Sequence, residues 1–319
     1  MKDELKIIFM GTPEFARVIL EKLIASEIYK PSLVITQPDK PIGRKQTLTP
    51  PPVKLMAERH NIAIEQAEKI KNAETIAKIK KENPDLIIVA AYGKIIPKEI
   101  MNIPRFGVLN VHASLLPFYR GASPISAAIL NGDKETGATI MLIDEELDHG
   151  PILAQARVLI APDDTTESLG RKMADAGVNL LIDAAQKWID GTIKPRAQDH
   201  SRATHTKILN KQDGEIKTDY TAEHIERMAR AYYPWPGIYL NYELRIMNYE
   251  SEKKRLKIIK TKVVKCEKNL PPLIFFITAD KQLALQTAKD CLILETVQPE
   301  GKKPMSGYDF YLGNRNLTI

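Results

Sequence analysis

Short, continuous apolar runs recur through the first part of the chain and alternate with segments of helical periodicity. The runs are KIIFM (6–10), SLVIT (32–36), DLIIVAA (85–91) and VLNVH (108–112). A strand that is apolar at every position is typical of a parallel sheet covered on both faces. Between the first two runs, apolar residues from Phe15 to Ile24 recur at helical spacing. The alternation predicts a Rossmann-like α/β fold with a largely parallel sheet.

The same rhythm continues to about Trp188. ATIMLI (138–143) and ARVLI (156–160) are predicted strands, and a long helix follows a capping pattern at Asp164. Further helices are predicted to begin at Pro52, over 73–83 and at Pro124. The segment 37–54 carries five prolines and one glycine, a density that predicts irregular structure.

The pattern changes after the long helix. Residues 191–208 are polar and weakly periodic, which indicates a linker. One helix over 222–233 precedes several short alternating stretches, the rhythm of a small antiparallel barrel. We therefore expect an α/β domain over 1–190, a linker over 191–208 and a barrel domain over 209–319.

Composition narrows the class of protein. A chain of 319 residues with net charge +6 and pI ≈ 9.0 permits an anionic partner without requiring one. Cys266 and Cys291 form no CxxC or CxxH pattern, so we expect reduced thiols, no zinc site and no disulfide framework. No stretch approaches the ~20 apolar residues of a membrane span, and the N-terminus lacks a signal-peptide core. We expect a cytoplasmic, monomeric protein without a metal.

The stretch from Gly107 to Gly150 holds the candidate catalytic residues. In VLNVH, alternation along the strand places Asn110 and His112 on one face, roughly 6–7 Å apart. His112 ends the strand, where open α/β sheets bind their ligands. Asp148 follows in a loop that ends at Gly150. A lone histidine at a strand end is commonly structural. The asparagine on the same face makes a catalytic role comparable to a structural one, and the spacing alone leaves both open.

These residue types suit acyl-type transfer. A histidine can accept a proton near neutral pH, and an asparagine amide can stabilise an oxyanion by about 3 kcal/mol. Asp148 could orient the imidazole or stabilise its charged form. Ser114 is near, but no G-x-S-x-G elbow surrounds it. Direct transfer, without a covalent enzyme intermediate, therefore fits better than a serine hydrolase.

A family resemblance extends this interpretation. Asn110-Val-His112, Ser114-Leu-Leu-Pro-Phe-Tyr-Arg-Gly121 and Asp148 together resemble the signature of the 10-formyltetrahydrofolate-dependent formyltransferases. The resemblance covers the whole chain, and within the family it is greatest to the members that act on methionyl-tRNA. Further motifs that carry it are FMGTPEFA, TQPDKPIGR (36–44), PPPVK, AAYGKIIP (90–97), PWPG (234–237) and QPEGKKPMS (298–306).

The resemblance implies transfer of the formyl group of 10-formyltetrahydrofolate, a co-substrate, to the methionine α-amino group of initiator tRNA. It implies that Asn110 stabilises the tetrahedral oxyanion, that His112 handles the proton or stabilises the same intermediate, and that Asp148 supports His112. It also implies an OB-like barrel for the C-terminal domain. The folate contacts that it implies are Ser114, Leu115, Leu116, Pro117, Tyr92 and Gly93.

Two basic segments are candidate tRNA contacts. In the family the 37–54 loop inserts at the acceptor stem, so the resemblance implies that Arg44 and Lys45 contact the acceptor end. Residues 253–268 hold eight bases and one acid; they form either a positive ribbon for RNA phosphates or an edge strand guarded by lysines.

Some residues depart from the family pattern, and other functions remain open. The family usually has Thr-Gly after the Asp, whereas this chain has His149-Gly150, and His149 could compete for the Asp148 carboxylate. Segment 213–220 and the barrel stretch 249–272 are also less family-like. The alternatives are a formyltransferase acting on an amino sugar nucleotide, a 10-formyltetrahydrofolate hydrolase, and a non-catalytic RNA-binding protein.

Overall fold

The computed structural model describes residues 5–26, 28–43, 46–245, 251–266, 270–314 and 317–318. The helices are α1 (Glu14–Ala25), α2 (Pro52–Arg59), α3 (Ala73–Glu82), α4 (Lys98–Met101), α5 (Pro124–Asn131), α6 (Thr166–Ile189), α7 (Ala222–Ala231) and α8 (Gly307–Leu312). The strands are β1 (Ile7–Gly11), β2 (Leu33–Ile35), β3 (Lys40–Ile42), β4 (Thr47–Thr49), β5 (Ala63–Glu65), β6 (Leu86–Ala90), β7 (Val108–His112), β8 (Arg120–Gly121), β9 (Glu135–Leu142), β10 (Ile152–Leu159), β11 (His205–Thr206), β12 (Ile238–Arg245), β13 (Ser251–Val264), β14 (Phe275–Ile277), β15 (Leu283–Gln286), β16 (Cys291–Pro299), β17 (Met305–Ser306) and β18 (Leu317–Thr318). In the described ranges, none of the helices combines the length and apolar character that crossing a membrane requires.

Contacts between residues divide the chain into two compact units. The first comprises 1–125, 134–160 and 168–207, and the second comprises 126–133, 161–167 and 208–319. The predicted domain limits at 190 and 209 stay predictions. The segment predicted as a linker contains a short 3-10 turn, His200–Arg202, and strand β11.

The first unit is built on a seven-stranded sheet in the order β10-β9-β7-β6-β1-β2-β5. The strands from β7 to β5 run parallel, and β9 and β10 extend the sheet in antiparallel fashion. The predicted Rossmann-like, largely parallel fold is confirmed.

Strand β1 shows why the apolar runs are continuous. Ile7 and Phe9 belong to the hydrophobic core that contains buried residues of α1, α2 and α6. Ile8 and Met10, the alternate residues, belong to a second core that contains residues of α3 and α4. All four side chains are fully buried. Each strand residue therefore meets a helix layer, whichever face it points to.

The segment predicted to be irregular forms a small hairpin instead. Strands β3 and β4 pair in antiparallel fashion, with Pro41 opposite Leu48. The prediction from proline content was wrong here because a two-stranded hairpin has only edge strands, and proline is tolerated on an edge.

The second unit carries an antiparallel sheet in the order β14-β15-β16-β13-β12-β18, with β17 paired to β16. Helix α7 begins after Thr221, whose hydroxyl accepts a hydrogen bond from the His224 backbone amide and caps the helix. The antiparallel half-barrel confirms the predicted OB-like fold.

A disulfide joins Cys266 and Cys291, whose Cα atoms lie 5.3 Å apart. The expectation of two reduced thiols is wrong in this structure. The pairing follows from strand register, because β13 and β16 are neighbours and Val264 lies opposite Cys291. A separation of 25 residues carries no such signal in the sequence.

The close approach of α6 to the sheet gives a stability prediction. A Cβ at Gly177 would lie 2.8 Å from Val111 Cγ1 and 3.4 Å from Ala138 Cβ. Gly177→Val overpacks this core and should lower the free energy of unfolding by about 1–3 kcal/mol. The same substitution at Asn179, an exposed residue of α6, should change it by less than about 0.5 kcal/mol. Urea denaturation of both variants measures the difference, and equal effects would contradict close packing at Gly177.

Candidate active site

Strand β7 carries two of the predicted catalytic residues to the carboxyl end of the parallel sheet. Asn110 and His112 are largely buried, with 9% and 6% of their surfaces exposed. Strand β9 flanks them on one side, with Met141 opposite Asn110 and Thr139 opposite His112. Both residues keep the shared face that the strand period predicts.

Asp148 lies beside His112, so the structure brings all three predicted catalytic residues to one area. Its Oδ1 is 3.5 Å from His112 Nδ1, and its Oδ2 accepts a hydrogen bond of 2.7 Å from the Gly121 backbone amide. Asp148 has a φ of 50°, a left-handed conformation that residues with a side chain seldom adopt. The loop after β9 and the turn after β7 are thereby joined through one carboxylate.

The ring of His112 faces an acceptor on each side. Nε2 is 3.1 Å from the Tyr119 carbonyl oxygen, and Nδ1 faces the carboxylate of Asp148. A carbonyl and a carboxylate can only accept. Each ring nitrogen of His112 therefore faces an oxygen atom that can only accept.

The side-chain amide of Asn110 makes no hydrogen bond to any residue that the structure describes. An amide at this position needs a partner of its own, since a buried polar group without one is costly. The Asn110 N–H groups are thus available to an oxygen atom of a bound substrate.

Thr139 holds the turn that follows His112. Its hydroxyl donates to the Ser114 carbonyl at 2.6 Å and accepts from the Leu116 amide at 3.2 Å. Gln155 donates to the same hydroxyl at 3.0 Å and to the Leu116 carbonyl at 2.8 Å. These bonds fix a buried turn that has no regular secondary structure of its own.

The four residues predicted to contact folate in this turn differ in exposure. Ser114 is fully buried and its hydroxyl donates to the Phe118 carbonyl at 2.5 Å. Leu116 is 3% exposed and packs with Met141 and Ile152. Leu115 and Pro117 are half-buried, so they retain surface that a ligand could cover. All four stay predictions.

The other predicted folate contacts form a second turn, after β6. The Tyr92 carbonyl accepts from Gln37 Nε2 at 2.9 Å and from the Thr12 hydroxyl at 3.0 Å. The Tyr92 side chain is buried, and burial together with the Glu65 carboxylate raises its pKa to about 12. Gly93 has a φ of 78°, and a Cβ there would lie 2.5 Å from Gln37 Nε2. Glycine at 93 therefore permits both the turn and the close approach of Gln37.

Arg44 and Lys45, the predicted tRNA contacts, lie outside the described residues. The base of their hairpin is described. Lys54 Nζ is 2.8 Å from the Asp39 carboxylate, and Gln66 Nε2 donates to the same carboxylate at 2.8 Å. The hydrogen bonds from Gln66 and Lys54 hold the pKa of Asp39 below its usual value. The basic strand β13 belongs to the antiparallel sheet of the second unit, where Lys260 pairs with Glu295 at 2.9 Å.

Sequence reasoning missed a set of residues in the segment predicted as a linker. Gln198 Nε2 donates to the carbonyls of Asp148 and Gly150 at 2.9 and 2.7 Å. Thr204 Oγ1 accepts from the Tyr119 amide at 2.8 Å, and β11 pairs with β8. The local sequence holds no periodic signal for these contacts, because each partner is distant along the chain.

His149 does not compete for Asp148. Its Nδ1 is 2.7 Å from Asp144 Oδ2, and its ring stacks on His200 with centroids 3.9 Å apart. Within the described ranges, His149 and its neighbours included, no group of three or more His, Cys, Asp or Glu side chains is placed to hold a metal ion.

Comparison with known proteins identifies the family. Residues 5–185 match the model of the formyl transferase family, and residues 208–315 match the model of the formyl transferase C-terminal domain. The chain belongs to the formyl transferase family.

Relatives of similar length reinforce the assignment to the formyl transferases. A methionyl-tRNA formyltransferase of Roseiflexus castenholzii is 42% identical over 98% of this chain and 96% of its own length. One from Thermodesulfovibrio yellowstonii is 43% identical over 97% of this chain and 96% of its own length.

Solved structures of low sequence identity share the fold. HypX from Aquifex aeolicus, solved in complex with tetrahydrofolic acid, superposes with a TM-score of 0.62 at 15% identity. The match covers 97% of this chain and 47% of HypX, so this chain spans about half the length of HypX. The sugar 3N-formyl transferase WlaRD, solved with dTDP and 5-N-formyl-tetrahydrofolate, gives a TM-score of 0.60 at 22% identity, over 94% of this chain and 99% of that one.

The Thr139 hydroxyl supports a prediction about the turn. Thr139→Val keeps the shape of the side chain but leaves the Ser114 carbonyl and Leu116 amide without this partner. The free energy of unfolding should fall by about 1–3 kcal/mol. Thr136→Val on the same strand is the matched control, because the buried Thr136 hydroxyl has no hydrogen-bond partner in the described part of the chain and its removal should be close to neutral. Chemical denaturation of both variants measures the difference, and a neutral Thr139→Val would contradict the role of this hydroxyl.

Proposed function

We propose that the protein transfers the formyl group of 10-formyltetrahydrofolate to the methionine α-amino group of initiator methionyl-tRNA. The observation that carries the proposal is the convergence of Asn110, His112 and Asp148 at the end of β7. The relatives named above, which share about two-fifths of their residues with this chain over nearly its whole length, are methionyl-tRNA formyltransferases.

The chemistry begins with attack of the neutral amine on the formyl carbon. The carbonyl oxygen of the formyl group then carries negative charge in a tetrahedral intermediate. The amide of Asn110, which has no partner among the described residues, donates to this oxygen, a contribution that is largest when the charge has formed. Collapse of the intermediate breaks the bond to N10 of the folate, which leaves as tetrahydrofolate after taking up a proton.

His112 handles the proton that the amine loses. Nε2 is the ring nitrogen remote from Asp148, so we assign it to face the reacting groups in place of the Tyr119 carbonyl. Asp148 keeps Nδ1 protonated and the ring oriented, as a carboxylate does beside a catalytic histidine. The Gly121 amide in turn fixes Asp148.

The folate is assigned to the two turns at this end of the sheet. Leu115 and Pro117 offer apolar surface on one side, and Tyr92–Gly93 forms the second turn. Both turns are immobilised by side-chain hydrogen bonds, from Thr139 and from Gln37, which reduces the ordering cost of binding.

The tRNA is assigned to Arg44 and Lys45, which lie between β3 and β4 in the sequence, and to basic residues of the second unit. A polyanionic acceptor accords with the net charge of +6. The protein is proposed to act as a monomer, in the cytoplasm where initiator tRNA is used.

One assay separates this function from its rivals. The protein is incubated with 10-formyltetrahydrofolate and methionyl initiator tRNA, methionyl elongator tRNA, an amino sugar nucleotide, or no acceptor. Formyl-methionine should form on initiator tRNA, with little formate in the absence of acceptor. Formate release without acceptor would support a hydrolase instead, and formylation of the sugar alone would support a sugar formyltransferase.

His112→Ala tests the catalytic assignment. The variant should lose about 100- to 10,000-fold in kcat, while binding of the folate to the enzyme, measured by fluorescence titration, stays near wild type. His60→Ala is the control, since His60 is exposed at the end of α2. Wild-type turnover by His112→Ala would rule out its role.

Arg44→Leu tests the tRNA assignment. If Arg44 contacts a phosphate, KM for tRNA should rise, and the slope of log binding against log salt should decrease by about 1. Arg105→Leu provides the control, because Arg105 is exposed and precedes β7, away from its carboxyl end. Unchanged activity and salt dependence for Arg44→Leu would remove the hairpin from the tRNA site.

A further inference from the structure

The loop that carries Asp148 is held by a side chain from a distant part of the chain. Gln198 is 6% exposed, and its Nε2 donates to the Asp148 carbonyl at 2.9 Å and the Gly150 carbonyl at 2.7 Å. An amide nitrogen has two protons, so each carbonyl receives one. The peptide units that join Asp148 to His149 and Gly150 to Pro151 are therefore fixed by one group.

Arg120 determines which way the Gln198 amide faces. Arg120 Nη2 donates to Gln198 Oε1 at 2.7 Å, and Nε lies 3.3 Å from the same oxygen. A guanidinium has no acceptor, so the oxygen must face Arg120 and the nitrogen must face the loop. Arg120 is 4% exposed, which shields this arrangement from water.

Two histidines complete the connection between the loop and the segment that carries Gln198. The His149 ring lies almost parallel to the His200 ring, with an interplanar angle of 5°. His149 Nδ1 also bonds to Asp144 at the other end of the same loop. His200 Nδ1 lies 2.8 Å from Arg120 Nη2, and because the guanidinium donates, this nitrogen accepts. Arg120 thus contacts both Gln198 and His200.

We propose that Gln198 is a positioning residue for Asp148, oriented by Arg120 and supported by the His149–His200 stack. The inference rests on the proposed function, in which Asp148 orients His112. Asp148 adopts a left-handed backbone, which persists only where the surrounding structure enforces it. The two hydrogen bonds from Gln198 supply that constraint. By fixing the backbone at Asp148, they orient its side chain towards His112.

Gln198→Glu separates positioning from general stability. A carboxylate at 198 would keep its contact with Arg120, now as an ion pair, but would present an acceptor to two carbonyl acceptors. The variant should remain folded at the assay temperature, with a lowered melting temperature because two buried carbonyls lose their donor. Its kcat should fall about 10- to 100-fold, as expected for a misplaced catalytic group, while KM for folate and for tRNA changes by less than about twofold.

Two further variants complete the design. His149→Ala removes the ring stack and the bond to Asp144, and should reduce kcat about threefold to tenfold with the same unchanged KM values. Gln282→Glu makes the matched charge change at an exposed residue between β14 and β15, and should match wild type.

Asp148→Asn, measured in the same assay, distinguishes failure of the positioning role of Gln198 from failure of the proposed catalytic role of Asp148. If Asp148→Asn is inactive and Gln198→Glu has the kcat of wild type, the positioning role is wrong and the proposed function stands. If Asp148→Asn is itself fully active, the catalytic assignment fails and the positioning role fails with it. A fall in kcat for Gln198→Glu, with KM values and folding intact, supports the inference.

Discussion

The hydrogen bond from the Gly121 amide to the Asp148 carboxylate joins the two loops from which the site is built. One segment follows β7 and contains the two-residue strand β8, and the other is the loop that follows β9. The second oxygen of the same carboxylate faces His112. If this carboxylate moved, both the turn and the histidine would lose a partner. The sheet places Asn110 and His112 at one edge, and the hydrogen bond from Gly121 then fixes the Asp148 carboxylate beside His112.

Two residues of the site have unusual backbone conformations, which persist only where neighbouring residues hold them in place. Tyr119 and Asp148 both have positive φ values, which are uncommon for residues with side chains. The Thr204 hydroxyl accepts a hydrogen bond from the Tyr119 backbone amide, and the Gln198 side chain donates one to the Asp148 carbonyl. The segment 198–206 therefore contributes to the site by holding the backbone of Tyr119 and of Asp148.

Much of the fold could be read from the sequence because local patterns specify it. Apolar runs such as Ile7–Met10 must lie between two layers, and the strand period alone places Asn110 and His112 on one face. The pairing of Cys266 with Cys291 could not be read, since it depends on the register of two strands far apart in sequence. The same limit applies to Gln198, whose partners lie about 50 residues away and leave no periodic trace near it.

The family resemblance and the geometry contribute different parts of the account. The motifs indicate formyl transfer and folate binding. The distances show which polar side chains at the site already have a hydrogen-bond partner. Among the described residues the side-chain amide of Asn110 has no hydrogen-bond partner, whereas the hydroxyl of Ser114 already has one. This difference favours direct transfer through an Asn–His–Asp set over any mechanism that uses Ser114 as a nucleophile.

The most direct test of that claim is a double-mutant cycle of His112→Ala and Asp148→Asn, with single-turnover formyl transfer to methionyl initiator tRNA as the readout. If Asp148 acts through His112, the double variant should be about as slow as His112→Ala alone, because residues that act as a unit are strongly non-additive. Losses that multiply, so that the double variant is slower by the product of the two single effects, would contradict the account.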